Sequence, residues 1–235
     1  MTSAPGLCCP AVLVEAFSAS ACGGNGAAVV LLEQPLAAAA MQAIARSLNQ
    51  SETAFLLRRG TEWLLRWFTP TCEVPLCGHA TLAALLALGH WGEVPEGGRT
   101  VFHTRSGPLA VRLLPSVPTV ASRAPLGELE LPRIPLEPHD PPPDLRDWLQ
   151  ERPHLVAEAC WRSPLDYTVV LLPPDAPLAT LEGVDPPETC RNGLVLMQAL
   201  PAPDQTAPEV AGQRADYQLR FFAPGLGIDE DPVTG

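Results

Sequence analysis

The chain has 235 residues, 46% of them hydrophobic, and a mean hydropathy of +0.10, enough apolar material for one large or two smaller cores. Its formal charge of −11 and pI near 4.8 exclude nucleic acid and anionic membrane surfaces as main partners, since both repel it at long range. With no stretch near the roughly 18 apolar residues of a membrane span, and no basic, apolar leader at its start, it reads as a soluble cytoplasmic protein.

Ala11 to Phe17 and Ala27 to Leu32 read as short apolar strands joined by the Cys22-Gly23-Gly24-Asn25-Gly26 turn. A helix is expected from about Leu36 to Leu48, with Met41, Ile44 and Leu48 on its buried face. Thr53 to Arg59 and Glu62 to Phe68 form a hairpin through Arg59-Gly60-Thr61. A second helix begins at Gly78 or His79, buries Leu82, Leu85 and Leu86, and stops at Gly89. Arg99 to Thr104 and Leu109 to Leu114 complete a strand pair, so the pattern is a curved antiparallel sheet around a strongly apolar helix. Proline then clusters between residues 115 and 145, where it forbids long helices and favours extended connections; the boundary between residues 1–120 and 121–235 is placed there. Beyond it, Asp144 to Gln150 reads as a short helix, and Tyr167 to Leu172, Gly193 to Leu200 and Tyr217 to Phe222 as strands.

One segment recurs. Arg66-Trp67-Phe68-Thr69-Pro70 returns as Arg220-Phe221-Phe222-Ala223-Pro224, 154 residues later. The first copy runs into Thr71-Cys72-Glu73-Val74-Pro75-Leu76-Cys77-Gly78-His79-Ala80-Thr81, the second into Gly225-Leu226-Gly227-Ile228-Asp229-Glu230-Asp231-Pro232-Val233-Thr234-Gly235. Two strand-then-turn units imply two related lobes with a site where the turns meet. A helix starting at Cys77-Gly78-His79 presents unpaired backbone N–H groups, and Gly78 leaves room for a carboxylate or an enolate oxygen to approach them. Glu52, flanked by Ser51 and Thr53 between a helix end and a strand, is a candidate proton shuttle if the cleft around it excludes water.

Seven cysteines without regular spacing fit reduced thiols rather than a disulfide framework. Zinc binding through Cys72, Cys77 and His79 lacks the paired short spacings of structural sites, so no metal and no cofactor is expected. A two-thiol racemase would need a second cysteine at the position that Asp231 holds.

Together, Ala16-Phe17, Gly24-Asn25-Gly26-Ala27-Ala28-Val29, Ser51-Glu52-Thr53-Ala54-Phe55, Arg66 to Pro70, Glu73 to Ala83 and Phe222 to Gly235 resemble, in order, the phenazine-biosynthesis PhzF-like proteins, especially their animal relatives with a phenazine biosynthesis-like domain. The resemblance implies an α+β, diaminopimelate-epimerase-like fold: two pseudo-symmetric lobes, each a β-barrel-like sheet around a central helix. It also implies a cofactor-free isomerase that moves a proton and a double bond in a small carboxylate substrate, and it makes a homodimer plausible. By motif position, Glu52 is the general acid/base, His79 and Asp231 assist the proton relay, and Gly78, with Cys77 and Gly235, lies against the substrate. The sequence departs from the family pattern at Gly26, where proline is common, and in the short Arg59 to Glu62 hairpin. The family also continues past Asp-Pro-Val-Thr-Gly with a helix matching His79 to Gly89. Without that counterpart of about 30 to 40 residues the second lobe is expected to be incomplete, and the chain unstable or weakly active. The competing reading is a non-catalytic relative that binds another protein through its exposed apolar face.

Overall fold

The computed structural model describes residues 8–18, 23–115, 126–200, 209–210 and 213–231. The described residues up to Pro132 form one compact unit and those from Arg133 to Asp231 a second.

In the first unit, β1 (Ala11–Ala16) pairs antiparallel with β2 (Asn25–Leu32), and β2 pairs in parallel with β3 (Glu52–Arg59), the crossover being α1 (Ala38–Leu48). The run from Gly26 to Leu32 shows no polar alternation because both faces of β2 are covered. Val30 and Leu32 pack with Met41 and Ala45 of α1 on one side, and α2 (Gly78–His90) lies against the strand on the other. β2 starts two residues before the expected Ala27. Gly24 makes the tight entry possible, since a Cβ there would sit 2.2 Å from the Ala16 carbonyl oxygen. Of the expected α1 stripe, Met41 is buried and Ile44 packs half-buried against the same core, with Ala45 in the place expected for Leu48. Leu48 falls in the last turn and is exposed, and Asn49 closes the helix in the left-handed conformation, φ +50°.

β3 turns through Gly60, at φ +63°, into β4 (Glu62–Phe68), the expected hairpin. β5 (Glu73–Val74) pairs back on β4, and β6 (Arg99–Thr104), β7 (Gly107–Leu113) and β8 (Gly127–Leu129) complete an eight-stranded sheet. The β7–β8 pairing carries this unit past residue 120.

α2 differs from its expected one-sided burial. Leu85 is buried, but so are Ala80, Ala83, Ala84, Ala87 and Leu88, while Leu82 and Leu86 are only half-buried. The sheet encloses the helix, and small alanines let strand backbones approach from several sides. Gly89 does not end it: the helix runs to His90 with Trp91 as its C-cap. A Cβ on Gly89 would stand 2.6 Å from Leu113 Cδ2, so the glycine is a packing residue.

The second unit holds β9 (Glu137–Pro138), α3 (Pro143–Gln150), β10 (Ala159–Arg162), β11 (Thr168–Leu172) and β12 (Leu194–Ala199). A separate two-stranded pair, β13 (Glu209–Val210) and β14 (Gln213–Arg214), precedes β15 (Tyr217–Ala223) and β16 (Ile228–Asp231). The six-stranded sheet runs β16-β15-β12-β11-β10-β9. Leu145, Trp148 and Leu149 of α3 join Val170, Leu172, Leu194, Leu196 and Phe222 in its core. On the opposite face, Val195 pairs with Phe221, Met197 with Leu219 and Ala199 with Tyr217. Tyr217 and Leu219 are exposed there, and among the described residues this unit has no helix corresponding to α2. Nor is any described helix long and apolar enough to cross a membrane.

Candidate active site

The polar residues gathered at the start of α2 come from three separate structural junctions. Asn25 opens β2, Ser51 and Glu52 open β3, and Cys77 and His79 open α2. Because β2 and β3 are parallel neighbours, with Ala27 opposite Glu52, their N-terminal ends lie side by side. The N-terminus of α2 packs over them.

His79 is the hub. Asn25 Nδ2 donates to His79 Nδ1 at 3.1 Å, so the neutral ring carries its proton on Nε2. Ser51 Oγ lies 3.2 Å from Nε2 and donates to the Gly26 carbonyl at 2.8 Å. Glu52 Oε2 stands 2.9 Å from the same Nε2. That separation is close enough for an ion pair, yet among the described residues Oε2 has no hydrogen-bond partner. Glu52 is 4% exposed and His79 3%. A buried carboxylate oxygen lacking a hydrogen bond is costly unless it has a task, and the neighbouring imidazole offers a place for a proton to go.

Cys77 lies in the same cluster, its Sγ 3.5 Å from His79 Nδ1. It precedes α2 in an extended conformation, φ −150°, without capping the helix through its side chain, and the Thr81 hydroxyl donates to its carbonyl. Gly78 is the first helical residue. A Cβ there would meet nothing nearer than Leu131 Cδ1 at 3.8 Å, so packing among the described residues does not require glycine. A thirteen-residue helix with no side-chain cap concentrates partial positive charge at that end.

Of the residues singled out from the sequence, the structure thus gathers Glu52, Cys77, Gly78 and His79. Asp231 ends β16 of the second unit, half-buried and paired in register with Phe221. Gly235 lies outside the described residues. Asn25 and Ser51 were not picked out as site residues. Their signal was an asparagine set between Gly24 and Gly26, and a hydroxyl directly before the expected base. The missed β2 start hid it, because a loop asparagine looks like turn chemistry.

Bordering the site, Arg66 Nε and Nη2 donate to Glu73 at 2.7 and 2.8 Å, and Arg105 adds a contact at 3.1 Å. The Arg66 bond holds the Glu73 carboxyl below its ordinary value, against the opposing effect of burial. This pair fastens β4 to the segment leading into α2. Cys72 belongs to the turn between them, its Sγ 3.6 Å from Thr69 Oγ1, and is not part of the His79 cluster.

Comparison with known proteins agrees with this architecture. Residues 14–141 match the family model described as phenazine biosynthesis-like protein, PhzC-PhzF. An uncharacterized isomerase of Pseudomonas aeruginosa is 37% identical over 94% of this chain and 76% of its own length. Mouse phenazine biosynthesis-like domain-containing protein 1 is 35% identical over 96% of this chain and 79% of its own. The crystal structure of a PhzF-family phenazine biosynthesis protein from Enterococcus faecalis, 27% identical, superposes with a TM-score of 0.62 over 97% of this chain and 78% of that one. With a diaminopimelate-epimerase-like fold and these relatives over nearly its whole length, the chain belongs to the PhzF-like family of phenazine biosynthesis-like proteins.

Proposed function

We propose that the protein is an isomerase that moves a proton, and with it a double bond, within a small carboxylate substrate, using its own side chains as acid and base. The observation that carries this reading is the buried Glu52 Oε2, which has no hydrogen bond among the described residues and stands 2.9 Å from His79 Nε2. The isomerase names of bacterial relatives support the reaction class.

In this mechanism Glu52 Oε2 removes a proton from a carbon next to an unsaturated system. The electron pair shifts along that system, and the same proton, or one exchanged through His79, returns at another carbon. Atoms and charge balance without an external reductant or oxidant. The first-turn amides at Gly78 hold the substrate carboxylate or the transient enolate oxygen, where fixed dipoles in a water-poor site act most strongly. Asn25 sets the tautomer of His79, so that the nitrogen facing Glu52 is the one bearing a proton. Asp231 is assigned to the same reaction on the Glu230-Asp231-Pro232-Val233-Thr234-Gly235 motif alone.

The test is deuterium uptake from D₂O, read by mass spectrometry on trans-2,3-dihydro-3-hydroxyanthranilate and a panel of small amino and hydroxy acids, for the wild type and Glu52→Gln. Uptake that disappears in a folded variant supports the proposal. Uptake unchanged by the substitution overturns it, and so does no uptake on any of the panel by a folded wild type.

A further inference from the structure

The proton-transfer scheme gives the sulfur of Cys77 no step, although Cys77 is buried against the groups that carry it. Its Sγ lies 3.5 Å from His79 Nδ1 and 4.0 Å from Nε2, and Glu52 Oε2 lies 2.9 Å from Nε2. One donor atom from each of the three residues falls within 4.8 Å of the others. Around a tetrahedral zinc ion, with Zn–S near 2.3 Å and Zn–N or Zn–O near 2.1 Å, neighbouring donors are about 3.3 to 3.7 Å apart. Through His79 Nε2 the separations are 2.9 Å to Glu52 Oε2 and 4.0 Å to Cys77 Sγ, on either side of that range, so small side-chain shifts suffice to close three donors on one ion.

Charge favours the same conclusion. A net charge is expensive where the surrounding side chains are this buried. A dication facing one carboxylate, one thiolate and a neutral imidazole leaves none. The donor set also discriminates. Magnesium and calcium ask for an all-oxygen shell, whereas sulfur with imidazole nitrogen selects zinc and its congeners.

We propose that Glu52, Cys77 and His79 form a binding site for a thiophilic divalent cation of the zinc type, and that occupancy blocks the isomerase. Binding exchanges the thiol proton for the metal: the S–H bond breaks, the proton leaves to solvent and an S–metal bond forms, while the ring proton of His79 passes from Nε2 to Nδ1 and the Asn25 amide turns its oxygen to accept it, with no change of oxidation state. The ion takes the lone pairs of Glu52 and His79 through which the proton would move, so metal and reaction are mutually exclusive. The binding half of this proposal stands on the donor geometry; the inhibitory half rests on the proton-transfer reading above.

Cobalt is the direct probe, because a thiolate ligand gives a charge-transfer band and a four-coordinate ion gives intense visible bands. The reduced, chelator-treated full chain is titrated with Co²⁺, then with Zn²⁺. The expected result is one Co²⁺ per chain with a thiolate band, displaced by zinc. In Cys77→Ser the band should vanish and zinc affinity should fall at least tenfold. It should persist in the Cys8→Ser/Cys9→Ser variant, which removes the two adjacent thiols near the start of the chain, beside Leu32 at the far end of β2. Absence of the band in wild type, its survival in Cys77→Ser, or its loss in Cys8→Ser/Cys9→Ser each overturns the site. If Cys77→Ser does not fold, zinc K-edge absorption on the Cys8→Ser/Cys9→Ser chain decides. A shell of one sulfur with nitrogen and oxygen supports the site, and a shell with no sulfur or with several overturns it. These readouts need no turnover, so a missing isomerase activity leaves them intact. Where turnover is seen, deuterium uptake that stoichiometric zinc leaves undiminished overturns the inhibitory half alone.

Discussion

The β4 and β15 segments repeat a clamp as well as a sequence. In each, an arginine lies 5.1 Å over a phenylalanine two residues on, Arg66 over Phe68 and Arg220 over Phe222. Each guanidinium also grips a glutamate through two bonds, Glu73 at 2.7 and 2.8 Å and Glu230 at 2.6 Å for both. Beyond the clamps the two segments diverge. After β4 the chain turns into β5, which pairs back on β4, and then enters α2, bringing Cys77 and His79 into a buried cluster with Glu52. After β15 it passes through a short 3-10 turn, Pro224–Leu226, into β16, where Asp229 and Glu230 are exposed. The clamp is therefore a device for fixing a strand to the turn beyond it. What sets the first apart is that the segment beyond its clamp buries its polar groups.

That distinction predicts its largest effect in activity. Glu52→Gln should lower isomerisation by about 10²- to 10⁴-fold, the usual worth of a positioned acid or base, with its thermal stability retained. Glu230→Gln, in the matching turn, should change stability by no more than about 0.5 kcal/mol and leave turnover near wild type. Deuterium-exchange rates on both variants check this; comparable losses would mean that the second turn is as chemical as the first.

The clamped rings come next. Phe68 and Phe222 are both almost fully buried, and truncation to alanine should cost about 3–5 kcal/mol in either unit. Phe68→Ala should be the worse of the two. Phe68 meets Phe55 edge-on, centroids 5.6 Å apart, a contact worth a further ~0.5–1.5 kcal/mol. Urea unfolding of the two variants measures the difference.

The glycines beyond each clamp separate more subtly. An added Cβ at Gly225 would lie 2.7 Å from Asn192 Oδ1 and 2.9 Å from the Arg191 carbonyl oxygen, so Gly225→Ala should cost about 1–3 kcal/mol. Gly78→Ala meets only Leu131 at 3.8 Å and should leave the melting temperature unchanged or slightly higher, since alanine is the better helix former. Its loss should appear in KM, because the methyl group stands over the amides proposed to hold the substrate. Thermal melts and KM values for the pair test whether the first glycine serves a ligand and the second serves packing.

Much of this was legible in the sequence because local pattern and tertiary role agree. The Gly60 hairpin, the α2 start and the Arg-x-Phe repeat each carry their own signal. The errors arose where one residue satisfies two rules. Gly89 looked like a helix stop but is a gap for Leu113. Leu82 and Leu86 looked like a core stripe, yet a helix enclosed by a sheet has no single buried side. Asn25 looked like turn chemistry but opens a strand and orients His79, a role that depends on α2, more than fifty residues away in sequence. Glu52 and His79 were found as residue types near structural junctions. Their 2.9 Å separation follows from the parallel β2–β3 pairing and the packing of α2, which no local window contains.

The smallest predicted effect concerns which partner is the hub of each ion pair. Glu73 serves two cations, Arg66 and Arg105, and is well shielded, so in the first unit the acid should matter more than either base. In the second unit the order reverses. Arg220 also donates to the Leu178 carbonyl at 3.1 Å and to that of Leu181, so losing it leaves backbone oxygens unpaired as well as Glu230. Glu73→Gln should therefore destabilise more than Arg66→Met, and Arg220→Met more than Glu230→Gln, with pair couplings of about 0.2–1 kcal/mol from double-mutant cycles. Acid adds a second discriminator. Folded Glu73 titrates below its ordinary 4.5, held there mainly by Arg66, so the unfolded chain takes up its proton first as pH falls. The stabilisation is complete above that ordinary value and is lost as pH drops through the folded one. Arg66→Met should flatten stability against pH below about 4.5, in urea melts taken across that range. An unchanged slope would mean that Arg105 alone can hold the carboxylate, and that the clamp of the first unit is redundant where that of the second is not.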